Sequence, residues 1–229
     1  MKKLVSSLIA CTVVACSFFS CSNPVKKDDD SKKSSKNEPN AAELIIGKWK
    51  LDDVNAEGID SGGLLFSEGG KGSIYENTSS MLHFADDGLN VGGTVLSTEY
   101  FKEDGDNLTI DVMGQEMLVM TKIEAKDGYD GKYSLNGGIL YDSIVSGLEQ
   151  KGFTEKQKIN ISIDFDGDNS EVVFNDLFDY SIDGSKITIK GFSGLLNSDK
   201  DEVSAEFTVD EEKLTIKDSS KDTVLTREK

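Results

Sequence analysis

The chain has 229 residues, of which 42 are acidic and 25 basic, for a net charge of −17 and an isoelectric point near 4.4. From residue 41 onward the imbalance deepens to 38 acids against 18 bases, because the first 40 residues hold four acids and seven bases. A body that acidic repels phosphate backbones and anionic headgroups, which excludes nucleic-acid binding. The N-terminus opens MKKLVSSLIACTVVACSFFSCSNP, with Lys2 and Lys3 ahead of an uncharged apolar run from Leu4 to Phe19. A basic start and a short apolar run are the marks of a secretory signal, and the run is short for a membrane-spanning helix. All three cysteines, Cys11, Cys16 and Cys21, lie inside it, so the rest of the chain has no thiol for a disulfide or a metal site. Residues 22–41 hold both prolines, Pro24 and Pro39, and almost nothing apolar. Such a segment cannot bury enough surface to offset its ordering entropy and is expected to be a disordered tether.

The body begins with GKWKL at 47–51 and continues through GIDSGGLLFSEGGKGSIYEN, whose glycines suggest a loop with at most one helical turn. From Ser80 onward, MLHFADDG, EYFKEDGDNLTIDV, INISIDFDGDNSEVVF, DYSIDGSKITIK and EFTVDEEKLTIK each alternate apolar and polar residues about an acidic or glycine-containing turn. Period-two alternation about Asp-Gly is the strongest short-range hairpin signal, since glycine takes positive φ at no steric cost. The prediction is an all-β, antiparallel, meander-like body with one face of each strand buried. Phe84, Tyr100, Phe165, Phe174, Tyr180 and Phe207 fall at alternating strand positions and are expected in the core. One stretch departs from this: Ile139, Leu140, Ile144, Val145 and Leu148 share a helical face and predict one short helix ending at Gly152.

GKWKL has a counterpart in GKYSL at 131–135, and the segments that follow end alike. Glu99–Glu124 and Glu206–Lys229 share an aromatic after Glu, an acidic turn, Leu-Thr-Ile, a second turn, and then Val-Met-Thr-Lys against Val-Leu-Thr-Arg. The spacing predicts one unit present twice, at 43–125 and 129–229, either as two barrels or merged into one larger sheet.

The N-terminal region resembles a bacterial lipoprotein signal. Val13-Val14-Ala15 before Cys16 fits the lipobox best, and Phe18-Phe19-Ser20 before Cys21 gives the more usual overall length, so either cysteine is a candidate for lipidation. The resemblance implies a signal peptide over 1–21 and a chain held at a membrane, facing away from the cytoplasm, by acyl tails. Two tails suffice for stable anchoring at about 0.8 kcal/mol per buried methylene.

The repeated unit resembles the lipocalin-like domains of bacterial lipoproteins, in which a G-x-W motif opens the first strand and a basic residue near the end of the last strand packs across the tryptophan. Gly47 and Trp49 match that motif, and Gly131 with Tyr133 is its tyrosine version. The resemblance implies Lys122 as the basic partner in the first unit and Arg227, the only arginine, in the second, all four as structural residues that close a barrel. It further implies a non-catalytic binding module, for a small apolar or amphipathic ligand or for a protein partner at the cell surface.

Direct signs of chemistry are sparse. The single histidine, His83, sits just before a hairpin turn and reads as a surface residue, and no Gly-x-Ser-x-Gly elbow accompanies it. GGKGS at 69–73 lacks the spacing of a phosphate-binding loop, and no cofactor is expected. Asp164, Asp166 and Asp168 stand at the first, third and fifth positions of a calcium-loop pattern, but its glycine is at the fourth position and Asn175 stands where a bidentate glutamate belongs. A hairpin turn is therefore the expectation, with a weak calcium site as the alternative.

Overall fold

The computed structural model describes residues 40–51, 59–150, 159–191, 202–217 and 222–228. A four-residue helix, α1 (Ala41–Leu44), leads into β1 (Gly47–Leu51). The segment expected to be a loop is instead the hairpin β2 (Ser61–Ser67) and β3 (Lys71–Asn77). Its glycines are there for close approach. A Cβ on Gly63 would lie 1.9 Å from the Trp49 carbonyl oxygen, and one on Gly72 would strike the Phe178 ring at 2.0 Å. Glycine inside a strand marks such contacts as often as it marks a loop.

A three-stranded sheet follows, made of β4 (Leu82–Ala85), β5 (Gly88–Val91) and β6 (Thr94–Ser97). Next come β7 (Phe101–Asp104), β8 (Asn107–Val112), β9 (Gln115–Ala125) and β10 (Gly131–Gly137). The predicted helix forms as α2 (Ile139–Gln150), with Leu140, Ile144 and Leu148 buried. The chain then runs through β11 (Asn160–Asp166), the 15-residue β12 (Asn169–Asp183), β13 (Lys186–Lys190), β14 (Glu202–Val209), β15 (Lys213–Lys217) and β16 (Asp222–Arg227).

Every strand pairing in the fold is antiparallel, and eight strands close a barrel in the order β1-β2-β3-β12-β13-β14-β15-β16, with β16 returning to β1. The two ranges 43–125 and 129–229 are therefore not two separate barrels: the closed barrel takes β1–β3 from the first and β12–β16 from the second. The remaining strands extend one merged sheet outward from β12 as β11-β10-β9-β8-β7. β12 serves both because it is long and its register shifts between Phe174 and Phe178. Its first half pairs with β11 and its last five residues pair with β13.

The register sets the inward face. Trp49 lies opposite Leu64, and Leu64 opposite Ile74. Across the barrel Ile187 lies opposite Ala205, Phe207 opposite Ile216, and Leu214 opposite Leu225. Trp49, Ile74, Ile187, Ile189, Leu214 and Leu225 are all 0% exposed, so the barrel is filled by its own side chains. The same face of the outer sheet, including Ile163, Phe165, Tyr133, Met120 and Leu108, belongs to the same apolar core, over which α2 packs against β9 and β10, and β4 against β11 and β12. Of the aromatics expected inside, Phe84, Phe165, Phe174 and Phe207 are buried, while Tyr100 and Tyr180 are half-buried at the core's margin.

Gly63→Ala is expected to cost about 3 kcal/mol or more, because the added methyl meets strand backbone that cannot move without breaking the β1–β2 ladder. Gly105→Ala, in an open turn with φ of +60° and no atom near its Cβ position, should cost about 1–2 kcal/mol. Urea unfolding midpoints of the two variants measure the difference.

Candidate functional site

Two aromatic–cation closures and one buried carboxyl stand out from the rest of the body. In the first closure Trp49 lies directly opposite Arg227 across the β1–β16 ladder, with the guanidinium carbon 4.2 Å from the ring centroid. Arg227 spends its donors on backbone carbonyls: Nη1 on Ile46 at 2.9 Å, Nη2 on Leu44, and Nε on Glu211 at 2.9 Å. The indole Nε1 donates to the Ile45 carbonyl at 2.6 Å. Together these bonds satisfy three successive carbonyls where α1 ends, groups that a helix terminus leaves without partners. Gly47 is required beside them, since its φ is +129° and a Cβ would lie 2.7 Å from Arg227 Nη1.

The second closure repeats this pattern 84 residues later. Tyr133 lies opposite Lys122 on β9, with Nζ 5.3 Å from the ring centroid. The Tyr133 hydroxyl donates to the Tyr129 carbonyl at 2.7 Å, four residues back, as Trp49 does to Ile45. Lys122 Nζ reaches the Gly128 carbonyl at 3.5 Å, three residues before Gly131, as Arg227 reaches Leu44 three residues before Gly47. Gly131 has φ of +136°, and Phe165 stands opposite it as Phe66 stands opposite Gly47.

The structure thus corrects the expected pairing: Arg227 closes on Trp49 and Lys122 on Tyr133, the reverse of the within-unit assignment. The cause is chain connectivity. Only residues 126–130 separate β9 from β10, so β9 folds back as the neighbour of β10 and brings Lys122 to Tyr133. The second edge of β1 is taken by β16, which brings Arg227 to Trp49.

On the outer barrel face Lys48 bridges Glu171 at 2.5 Å and Glu228 at 2.9 Å and lies 4.1 Å above the Tyr75 ring. Burial works against the Lys48 charge, but the two carboxylates outweigh it and raise its pKa. Tyr75 Oη is buried without a hydrogen-bond partner, and burial, reinforced by Glu228 and Glu171, pushes its pKa far up. Its neighbour Glu76 points to the opposite, inward face. Glu76 is 2% exposed, its Oε1 has no partner, and burial pushes its carboxyl up to about 8. Sequence reasoning missed Glu76 because the segment read as a loop. The available signal was a lone acid at an inward position of the Gly72–Ile74–Glu76 alternation.

The remaining candidates are placed as follows. His83 is half-buried rather than on the surface: its Nδ1 pairs with the Ser79 carbonyl at 2.7 Å and its Nε2 with Asn90 Nδ2 at 3.3 Å. Asn90 Oδ1 already accepts from the Gly93 amide at 2.9 Å, so its amide nitrogen faces the ring, leaving Nε2 the acceptor and Nδ1 the donor to Ser79. Asp164 and Asp166 share a cation that the chain itself supplies, Lys126 Nζ at 3.1 and 3.4 Å. Asp168 stays in the exposed turn, Glu171 is engaged by Lys48, and Asn175 is held by Ser162 at 3.0 Å. Among the described residues no group of three His, Cys, Asp or Glu is placed to hold a metal. Cys16 and Cys21 lie outside the described residues. No helix among those described is long and apolar enough to cross a membrane.

No protein-family model, curated protein or solved structure matches this chain.

The two closures differ in weight. Arg227→Ala removes a stacked guanidinium and three bonds to backbone carbonyls, and is expected to destabilise the barrel by about 2–4 kcal/mol. Lys122→Ala removes a looser contact and should cost about 1 kcal/mol or less. Denaturant unfolding of both, with Arg227→Lys as the intermediate case, measures the difference.

Proposed function

We propose that this chain is a bacterial lipoprotein held on the outer side of the cell membrane by acyl chains on Cys16 or Cys21, and that its barrel is a non-catalytic module acting through its outside surface. The observation that carries this reading is the filling of the barrel by side chains that are 0% exposed, from Trp49 to Leu225. A carrier barrel keeps an apolar space for its ligand. This one spends the same space on its own core. The acidic exterior favours a basic or cationic partner over an anionic one. Glu76 is the described carboxyl whose pKa is raised, and burial alone raises it, with no second carboxylate among the described residues contributing. A two-carboxylate hydrolytic site needs such a partner.

A second reading, a small apolar or amphipathic ligand, draws on the outer sheet. There Phe84 stacks on Tyr129 at 5.4 Å and meets Phe101 at 6.0 Å, and both partners are only half-buried.

Native mass spectrometry of residues 41–229 from the native host, before and after mild denaturation, separates the two readings. The expected result is a mass equal to the polypeptide alone. A small molecule released on unfolding would overturn the filled-barrel reading in favour of a carrier. For the anchor, alanine at the lipidated cysteine is expected to move the full chain from the membrane to the soluble fraction, while alanine at the other cysteine leaves it in place. Retention of both single variants and the double variant would refute the anchor.

A further inference from the structure

The β3–β12 ladder is a joint of the closed barrel itself, and the outer sheet leaves beside it through β11, since β12 alone belongs to both. Glu76 sits on that joint, opposite Gly62 on β2 and Val172 on β12, with its side chain on the core face. The described residues on the core face there include Leu51 from β1, Leu64 from β2, Ile74 from β3, Phe174 from β12 and Leu82 from β4, with the hydroxyls of Thr78 and Ser170 bonded to each other and Ser170 to the Leu82 carbonyl. None of them is charged or titrates as an acid or base. The nearest charged cluster, Lys48 with Glu171 and Glu228, lies on the other face of the same sheet with Tyr75. Among the described residues the Glu76 carboxyl thus has no cation to pair with and no donor on Oε1. A carboxylate in that position would be an uncompensated buried charge, whereas the neutral acid loses only part of its hydrogen bonding.

We propose that Glu76 is a proton-operated latch: the neutral acid holds β3 against β12, and loss of its proton opens the barrel at this joint, beside the strand that carries the outer sheet. The sign follows from linkage. An opened joint exposes Glu76 to water, where it ionises near the ordinary carboxyl value of 4.5, while the closed joint keeps the proton up to about 8. The closed state therefore binds more protons across that window and is favoured at its acid end. The opening equilibrium rises about tenfold for each pH unit between those limits and levels off above. An anchored chain would carry a joint that tightens as its surroundings acidify.

Amide hydrogen exchange of the mature chain tests this, with Glu76→Gln compared at each pH so that the intrinsic pH dependence of exchange cancels. From pH 5 to pH 8 the ratio of wild-type to variant exchange rates is expected to rise by about a hundredfold or more at Glu76 and Val172, whose amides face each other across the joint in phase with the Thr78–Ser170 bond. At Leu214 on β15 and Leu225 on β16, across the barrel from the joint, it should stay flat. A flat ratio at the joint overturns the latch, and so does an equal rise at all these sites, which would mean that the proton acts on global unfolding. Should Glu76→Gln fail to fold, the side-chain carboxyl of Glu76 can be followed by carbon-13 titration in the wild type. Titration at the ordinary carboxyl value with the joint still protected refutes the proposal. A raised titration accompanied by loss of protection at the joint supports it.

Discussion

The contact between Arg227 and Trp49 joins the last described strand to the first, and the closed barrel exists because it does. β1 and β16 are separated by the whole body of the chain, so bringing them together carries a large loop-closure cost that local hairpins do not pay. The compensation is concentrated at one point. A single planar cation stacks on the only tryptophan and satisfies carbonyls of Leu44, Ile46 and Glu211, while the indole takes Ile45. Lysine is a poor substitute at such a site, because the rigid fork of the guanidinium reaches several carbonyls at once and an ammonium cannot while lying flat on a ring.

The second closure shows the same design under a lighter demand. Lys122 and Tyr133 are joined by a hairpin whose loop is residues 126–130, so chain connectivity already holds β9 and β10 side by side. Little extra is required of the cation, and the looser contact of Lys122 is enough. The difference between arginine and lysine thus follows the difference in the entropy each closure must overcome. The only arginine in the chain stands at the closure of longest sequence separation.

Much of this was legible in the residues and some was not. The hairpin turns were readable because Asp-Gly pairs demand a particular backbone: Gly105, Gly167 and Gly184 all take φ near +60° at the turns their strands imply. The helix was readable from the spacing of Leu140, Ile144 and Leu148. The correspondence of Lys122 with Arg227 was visible in the matched endings, yet the pairing was assigned the wrong way round. A repeat in sequence does not say which copy each strand will join, and a five-residue connection outweighs membership of a unit. The β2–β3 hairpin was missed because Gly63 and Gly72 look like loop residues. Their role depends on Trp49 and Phe178, which approach them only in three dimensions.

Glu76 was hidden for a related reason, and its position says something about how the fold is balanced. Replacing a buried, unpaired acid by an apolar residue of similar size should stabilise a fold, so an acid kept on the core face offsets stability that the surrounding packing supplies elsewhere. The strain is not spread through the barrel, where the described inward positions from Ile187 to Leu225 carry no ionisable side chain. It falls on the barrel ladder beside which the open sheet leaves β12 through β11. A weak point there opens the barrel where the outer sheet is attached, whereas the same acid at Leu214 would weaken the opposite wall. The placement of Glu76, more than its chemistry alone, makes the joint the element of this fold best suited to respond to its surroundings.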